Sequence, residues 1–213
     1  MSGAYEYSIM RNKIEIVIYF LINMLPRFKS RFFRTIYWNL RAKDIHDKWG
    51  DGAEDFETLG RVIGAIKPNR LLDIGCGSGR CFSLYMSMEV PEVVGQDISP
   101  NALGICKKRH TNLKYHLFCG GLEDLDYVDN YFDLIVSTRV LSAVLTEQIE
   151  STVAKLCRLA DAIYLNEMTD SDYQGASCYW FKHDYDELMG RNGFATVEKG
   201  SIGKQTWKLY KKR

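Results

Sequence analysis

Apolar positions along this chain follow two regimes. Before about residue 51 only helical spacing occurs; after it, helical and strand-like periods alternate. Phe56, Leu59, Ile63 and Ile66 recur at helical spacing and predict a helix over Ala53–Ile66, ended by Lys67-Pro68-Asn69. Arg70–Ile74 is a short apolar run that reads as a strand, and Cys81–Met88 returns to a helical pattern. Val93–Asp97 predicts a second strand, after which Ser99 and Pro100 suit the N-cap and first position of another helix. Strands are expected at Leu113–Cys119 and Ala162–Glu167, with a helix over Glu147–Leu159. A helix over Asp184–Arg191 closes at Asn192-Gly193, and Ala195–Lys199 with Thr206–Lys211 form a final hairpin around Gly200–Gly203. The alternation predicts an α/β three-layer sandwich, its seven-stranded sheet mostly parallel with one antiparallel strand.

The leading segment is different. Ile14–Leu25 is the most apolar stretch of the chain, but it is too short and interrupted for a spanning helix, and Pro26-Arg27-Phe28-Lys29 follows it where a signal peptide would place a cleavage site. After Pro26, Phe28, Phe32, Phe33, Ile36, Tyr37 and Leu40 share one helical face, and Arg27, Arg31, Arg34 and Arg41 share the other. We expect the aromatic face to pack on the protein's own core or on a second subunit. A peripheral membrane contact or a homodimer contact through residues 11–41 is the further expectation, because such a helix also suits a membrane interface. Two domains are expected: a basic amphipathic helical extension over 1–50 and an α/β domain over 51–213.

Charge sharpens this division. The whole chain carries 28 Lys and Arg against 27 Asp and Glu, a net of +1, which gives no overall pull toward nucleic acid. Residues 1–43 nevertheless hold eight basic side chains against Glu6 and Glu15, a net of +6, so the remainder is at −5. The six cysteines make no Cys-x-x-Cys pair and have no neighbouring His cluster, so no metal is expected. They sit mostly in apolar runs, as free thiols do, and predict a reducing, cytoplasmic compartment, peripheral to a membrane if the arm binds one.

The chemistry concentrates at Asp73-Ile74-Gly75-Cys76-Gly77-Ser78-Gly79, where a strand ends in an acid and a glycine loop opens a helix. Such glycines let the backbone approach a ligand, and the helix start offers free N–H groups. A dinucleotide fingerprint fails in both registers, because Arg80 or Phe82 takes the last glycine position, and no Gly-Lys-Ser/Thr follows for a phosphate loop. An acid at the strand tip repels phosphate and suits a ligand that carries a cation. Asp97 ends the second strand 24 positions after Asp73, the interval at which an acid reaches ribose hydroxyls across a strand–helix–strand crossover.

With these motifs the sequence resembles the class I S-adenosylmethionine-dependent methyltransferases, which have a Rossmann-like fold. Asp73-x-Gly75-x-Gly77-x-Gly79 matches their first motif, Gln96-Asp97 the acidic second, and Phe132–Ser137 the strand of the fourth. The resemblance runs from about Asp51 to the carboxyl end. It implies S-adenosyl-L-methionine as cofactor, with backbone at Gly75, Cys76 and Gly77 around the methionine part and Asp73 near its ammonium. It further implies Asp97 on the ribose, Ile98 against adenine, Leu122 and Glu123 at the adenine edge, and Ser137 at the fourth strand's tip. Gly121 stands where the family often has the acid for the adenine amino group, so Glu123 or Asp124 is left for that role.

Methyl transfer from a sulfonium needs the nucleophile held in line, and a base only where the acceptor must lose a proton. His183 is the candidate catalytic base, and it also fits an ordinary helix-start position beside Asp184. Arg139 suits an anionic acceptor; Tyr173, Tyr179 and Trp180 suit a pocket wall or a lid; His46, Asp47 and Trp49 suit a closure over the cofactor or a simple anchor. The fourth strand ends Ser137-Thr138-Arg139 and not in the Asn/Asp-Pro-Pro-aromatic motif of nucleic-acid amino methylation, and no nucleic acid partner is expected. The expected activity is therefore methyl transfer to a small-molecule or lipid-linked acceptor; the alternative is a non-catalytic methyltransferase-like subunit that binds a partner through its arm.

Overall fold

A computed structural model of the chain describes residues 30–49, 56–111, 114–168, 180–203 and 205–213. The apolar stretch Ile14–Leu25, together with Tyr173, Cys178 and Tyr179, lies outside the described residues. The elements in chain order are α1 (Arg31–Trp49), α2 (Phe56–Ile66), β1 (Arg70–Ile74), α3 (Phe82–Ser87), β2 (Glu92–Asp97), α4 (Pro100–Arg109) and β3 (His116–Cys119). There follow β4 (Leu134–Thr138), α5 (Ile149–Leu159), β5 (Ala162–Met168), α6 (Tyr185–Arg191), β6 (Phe194–Ile202) and β7 (Gln205–Lys212). Short 3-10 turns lie at Leu122–Asp124 and Leu141–Ala143.

The strands form one seven-stranded sheet in the order β3-β2-β1-β4-β5-β7-β6. Its first five strands pair in parallel, and β7 runs antiparallel to both neighbours. Central strands are buried on both faces, so they read as continuous apolar runs; Leu71, Leu72 and Ile74 are all fully covered. Alternate residues feed two cores. Leu71, Val93, Leu134 and Tyr164 pack with Leu59 and Ile63 of α2 and Phe82 and Tyr85 of α3. Leu72, Val94, Ile135 and Leu165 pack with Val153 and Leu156 of α5 and Met189 of α6. Each fully buried Leu or Ile contributes about 2 kcal/mol by leaving water.

Helix ends follow the local chemistry. Ser99 Oγ accepts the Ala102 N–H at 3.1 Å and Asp184 Oδ1 accepts the Glu187 N–H at 3.0 Å, which fixes where α4 and α6 begin. The crossovers leave β1 flanked by β2 on one side and β4 on the other. The chain reverses direction across the sheet at that point, and a crevice opens beyond the carboxyl ends of the strands.

Helix α1 lies across this crevice on the side of β2 and β3, and splits both of its expected faces: Tyr37 of the aromatic face is buried and Phe33 half-buried, while Arg31 of the basic face is exposed. Phe32, Ile36 and Leu40 are exposed, at 67%, 39% and 78% of their full surface, while Arg34 is only 9% exposed. The inward stripe is Arg34, Trp38, Arg41, Ala42, Ile45 and His46. The surface under α1 presents Asp73, Asp97 and Glu123, and Arg31, beside this stripe, is ion-paired with Glu123 and Asp124.

Candidate active site

The site is built on the turn between β1 and α3. Gly75 has φ +57° and Gly77 φ +56°, the left-handed region that glycine occupies without strain. A Cβ on Gly75 would lie 2.4 Å from Val140 Cγ2, so the loop lies directly against the β4 wall. A Cβ on Gly77 would meet nothing nearer than the Gly75 carbonyl at 4.0 Å, which leaves open space beside this stretch of backbone.

Strand β2 holds the turn in place. The Cys76 N–H donates to the Gln96 carbonyl at 2.9 Å, and the Gly75 N–H donates to Gln96 Oε1 at 3.1 Å. The other end of the Gln96 amide, Nε2, donates to the Gly120 carbonyl at 2.6 Å and so ties the loop after β1 to the loop after β3. Asp97 Oδ2 accepts the Gly77 N–H at 2.9 Å, and Oδ1 accepts the Ser99 N–H at 2.7 Å. Burial pushes the Asp97 carboxyl up to about 6 although the N–H groups of Ser99, Gly77 and Ile98 pull it back. Asp73 is buried at the tip of β1, and desolvation pushes its carboxyl up to about 7.

The crevice encloses about 370 Å³. Asp73, Gly75, Cys76, Gly77, Asp97, Ile98, Leu122 and Glu123 all line it, so eight of the nine residues named from sequence for the cofactor share one cavity. Gly121 lines it as well, and the Glu123 carboxyl folds back into the space that a side chain at 121 would fill. Ser137 stands behind the lining: it is fully buried, and its Oγ donates to Glu167 Oε1 at 2.9 Å.

His183 also lies outside the lining. Its Nε2 is 2.9 Å from the Val144 carbonyl, which can only accept, so the ring carries its proton there and backs the wall. Burial lowers its pKa, so the ring is neutral near pH 7. Thr138, Arg139, Met168, Trp180 and Gln205 line the crevice at the ends of β4, β5 and β7. His46 lines it too, with Nδ1 3.1 Å from Ser78 Oγ, whereas Asp47 is exposed and paired to Lys43.

Sequence reasoning gave no role to three features. Gln96 was visible beside Asp97, yet its amide needs the β3 loop to show its function. Glu167, at the tip of β5, accepts from Ser137 Oγ, Val140 N and Leu141 N on Oε1 and from Ser142 N on Oε2, and thereby shapes the wall after β4. Its signal was an acid inside the apolar run Ala162–Met168. The third is the inward stripe of α1, whose signal was the spacing of Arg34, Trp38, Arg41 and Ile45. Polar contacts that dock this helix include Arg31 to Asp124 at 2.5 Å, Asn39 Oδ1 to Ser99 Oγ at 2.7 Å and to the Asn101 N–H at 3.2 Å, and His46 to Ser78.

Residues 71–161 match a family model described as a methyltransferase domain. Among curated proteins, an uncharacterized methyltransferase of Synechocystis sp. is 33% identical over 110 residues, 51% of this chain and 50% of that protein. The eEF1A lysine and N-terminal methyltransferase of Mus musculus is 26% identical over 145 residues, 65% of this chain and 20% of that protein. The chain thus spans half of one relative's length and a fifth of the other's. In fold it is similar to the magnesium protoporphyrin IX methyltransferase of Synechocystis PCC 6803 solved with bound S-adenosylhomocysteine. That likeness has a TM-score of 0.72 at 17% identity and covers 86% of this chain and 100% of that one.

Proposed function

The chain belongs to the class I S-adenosylmethionine-dependent methyltransferases, and from that premise we propose that it transfers a methyl group to a small-molecule or lipid-linked acceptor by in-line displacement. The observation that carries this reading is the convergence of Asp73, Asp97 and the glycine turn on one crevice. Those residues fit the cofactor. A buried carboxylate held near neutrality gains from a neighbouring cation, and the open backbone at Gly77 leaves room for a ligand.

Bound S-adenosylmethionine supplies a methyl group on a positively charged sulfur, already activated for displacement. Asp73 would face its ammonium group, and Asp97 would accept the ribose hydroxyls on the lone pairs that Gly77 and Ser99 leave open. Ile98 and Leu122 would flank the flat base. Thr138, Arg139, Met168, Trp180 and Gln205 would then orient the acceptor, and keeping reacting atoms about 3 Å apart in line supplies much of the rate. His183 lies behind the crevice lining with Nε2 on the Val144 carbonyl, so its use as a base would require an acceptor that reaches past the wall.

A roofed crevice supports a small acceptor, because α1 narrows the approach from the β2 side. The exposed Phe32, Ile36 and Leu40 beside Lys43 support a lipid-linked one. No helix among the described residues is long and apolar enough to cross a membrane. Isothermal titration with S-adenosylhomocysteine should give saturable one-site binding; absence of binding overturns the cofactor reading. Methyl transfer from labelled S-adenosylmethionine into small-molecule pools, with and without anionic vesicles, should then label a product. Binding without transfer to any pool would favour a non-catalytic subunit.

A further inference from the structure

Arg34 is buried, at 9% exposed, and it faces the crevice. Its Nε is fully covered and meets no acceptor, and no hydrogen bond or ion pair joins its guanidinium to another described residue. A guanidinium cannot shed its proton, so a covered Nε–H without an acceptor is a standing cost. Asp73, Asp97 and Glu123 share the lining with Arg34, and none of them forms an ion pair with it. Both oxygens of Asp97 are engaged by the N–H groups of Gly77 and Ser99, and the Glu123–Asp124 pair is answered by Arg31 one turn earlier, at 4.0 and 2.5 Å. Among the described residues no anion is paired with Arg34 at this point of the crevice.

The cofactor's own carboxylate is a poor match in position. The glycine turn, where the amino-acid part is assigned, lies beside Ser78, and His46 of α1 marks that end. Arg34 is twelve residues, hence about 18 Å, back along the same helix. Between them Trp38 offers a flat apolar wall. We propose that the acceptor is elongated and carries a carboxylate or phosphate group, remote from the methylated atom, that docks on Arg34. Resting on the methyltransferase reading above, this names the substrate class: an anionic small molecule lying along α1. Arg34 is then a binding and specificity residue, its planar fork suited to either anion.

The test uses the full chain with Arg34→Gln and Arg34→Lys, each first matched to wild type by thermal melting. Wild type and both variants should bind S-adenosylhomocysteine and 5′-methylthioadenosine, which lacks the amino-acid part, with affinities within about twofold of one another. The nucleoside-saturated wild type should then bind benzoate or inorganic phosphate saturably in the millimolar range, read by tryptophan fluorescence. Arg34→Gln should weaken that binding about tenfold, and Arg34→Lys should retain part of it. Selective loss of S-adenosylhomocysteine affinity in Arg34→Gln would assign the guanidinium to the cofactor and overturn the proposal. So would anion binding that is absent in wild type or unchanged in the variant. Failure of wild type to bind either nucleoside would instead remove the methyltransferase reading itself.

Discussion

Asp97 Oδ2 accepts the backbone N–H of Gly77 at 2.9 Å, so the acid that ends β2 and the glycine turn that follows β1 form one mechanical unit. Residues 20 positions apart in sequence are thereby held in fixed relation before any ligand arrives. Asp97→Ala removes the acceptors of two partly buried N–H groups, those of Gly77 and Ser99, and should lower stability by about 2 kcal/mol. It should also weaken S-adenosylhomocysteine at least tenfold, whereas Asp97→Asn, which keeps one acceptor oxygen, should lose less stability. Urea unfolding paired with isothermal titration reads both effects, and unchanged affinity in the Ala variant would remove Asp97 from the site.

The raised carboxyls of Asp73 and Asp97 fix the sign of a pH response. Each binds its proton more tightly in the folded chain than at the ordinary value of 3.8, so stability of the ligand-free protein is fullest below that pH as far as these groups decide it. That contribution is lost as pH rises through about 6 for Asp97 and about 7 for Asp73. A cationic ligand favours the ionised forms, so its affinity should climb over the same window and level off above it. Titration at pH near 6 in two buffers of different ionisation enthalpy should show proton release on binding. Asp73→Asn should flatten the melting-temperature profile and weaken the nucleoside together; a profile identical to wild type would refute the assignment of this window to Asp73.

Glu167 organises the wall after β4 from below. It is 3% exposed, and its two oxygens receive one hydroxyl and three backbone N–H donors. Val140, whose methyls face Gly75, is positioned by one of these bonds. Glu167→Ala strands all four donors and should cost roughly 3 kcal/mol or more. Glu167→Gln keeps an oxygen at the crowded Oε1 position and sets an NH₂ against the Ser142 N–H, so roughly 1 kcal/mol is expected. Denaturant midpoints rank the two, and equal loss would mean that shape, not acceptor count, holds the wall.

Much of this fold was legible because its signals are local. A strand ending in an acid, glycines with positive φ and a Ser-Pro helix start each follow from a few consecutive residues, and all stand where the pattern put them. The pairing of Ser137 with Glu167 was not legible, since it depends on β4 and β5 lying side by side in a particular register. His183 fits both a base and a helix-start position in the sequence, and its contact with the Val144 carbonyl, 39 residues away, was not legible there. Helix α1 shows the sharper limit. Periodicity sorted its residues into two faces, but the inward side draws on both of them, which depends on the surface opposite and not on spacing. Arg34, Arg41 and Tyr37 turn inward while Phe32 and Leu40 stay exposed, and Arg41 lies on the Tyr37 ring and hydroxyl.

That orientation of α1 predicts opposite results for two neighbouring side chains. Asn39 Oδ1 accepts from Ser99 Oγ at 2.7 Å and from the Asn101 N–H at 3.2 Å, which joins the helix to the start of α4. Leu40, the next residue, is 78% exposed on the outer face. Asn39→Ala should cost about 1 kcal/mol and, by loosening the roof of the crevice, raise the dissociation rate of S-adenosylhomocysteine several-fold. Leu40→Ser should leave stability within about 0.5 kcal/mol and leave that rate unchanged, because it touches neither the anchor nor the lining. Stopped-flow displacement with excess ligand measures the rates directly. A slower or unchanged release from Asn39→Ala, or a loss of stability in Leu40→Ser as large as that in Asn39→Ala, would mean that α1 meets the body through its other face.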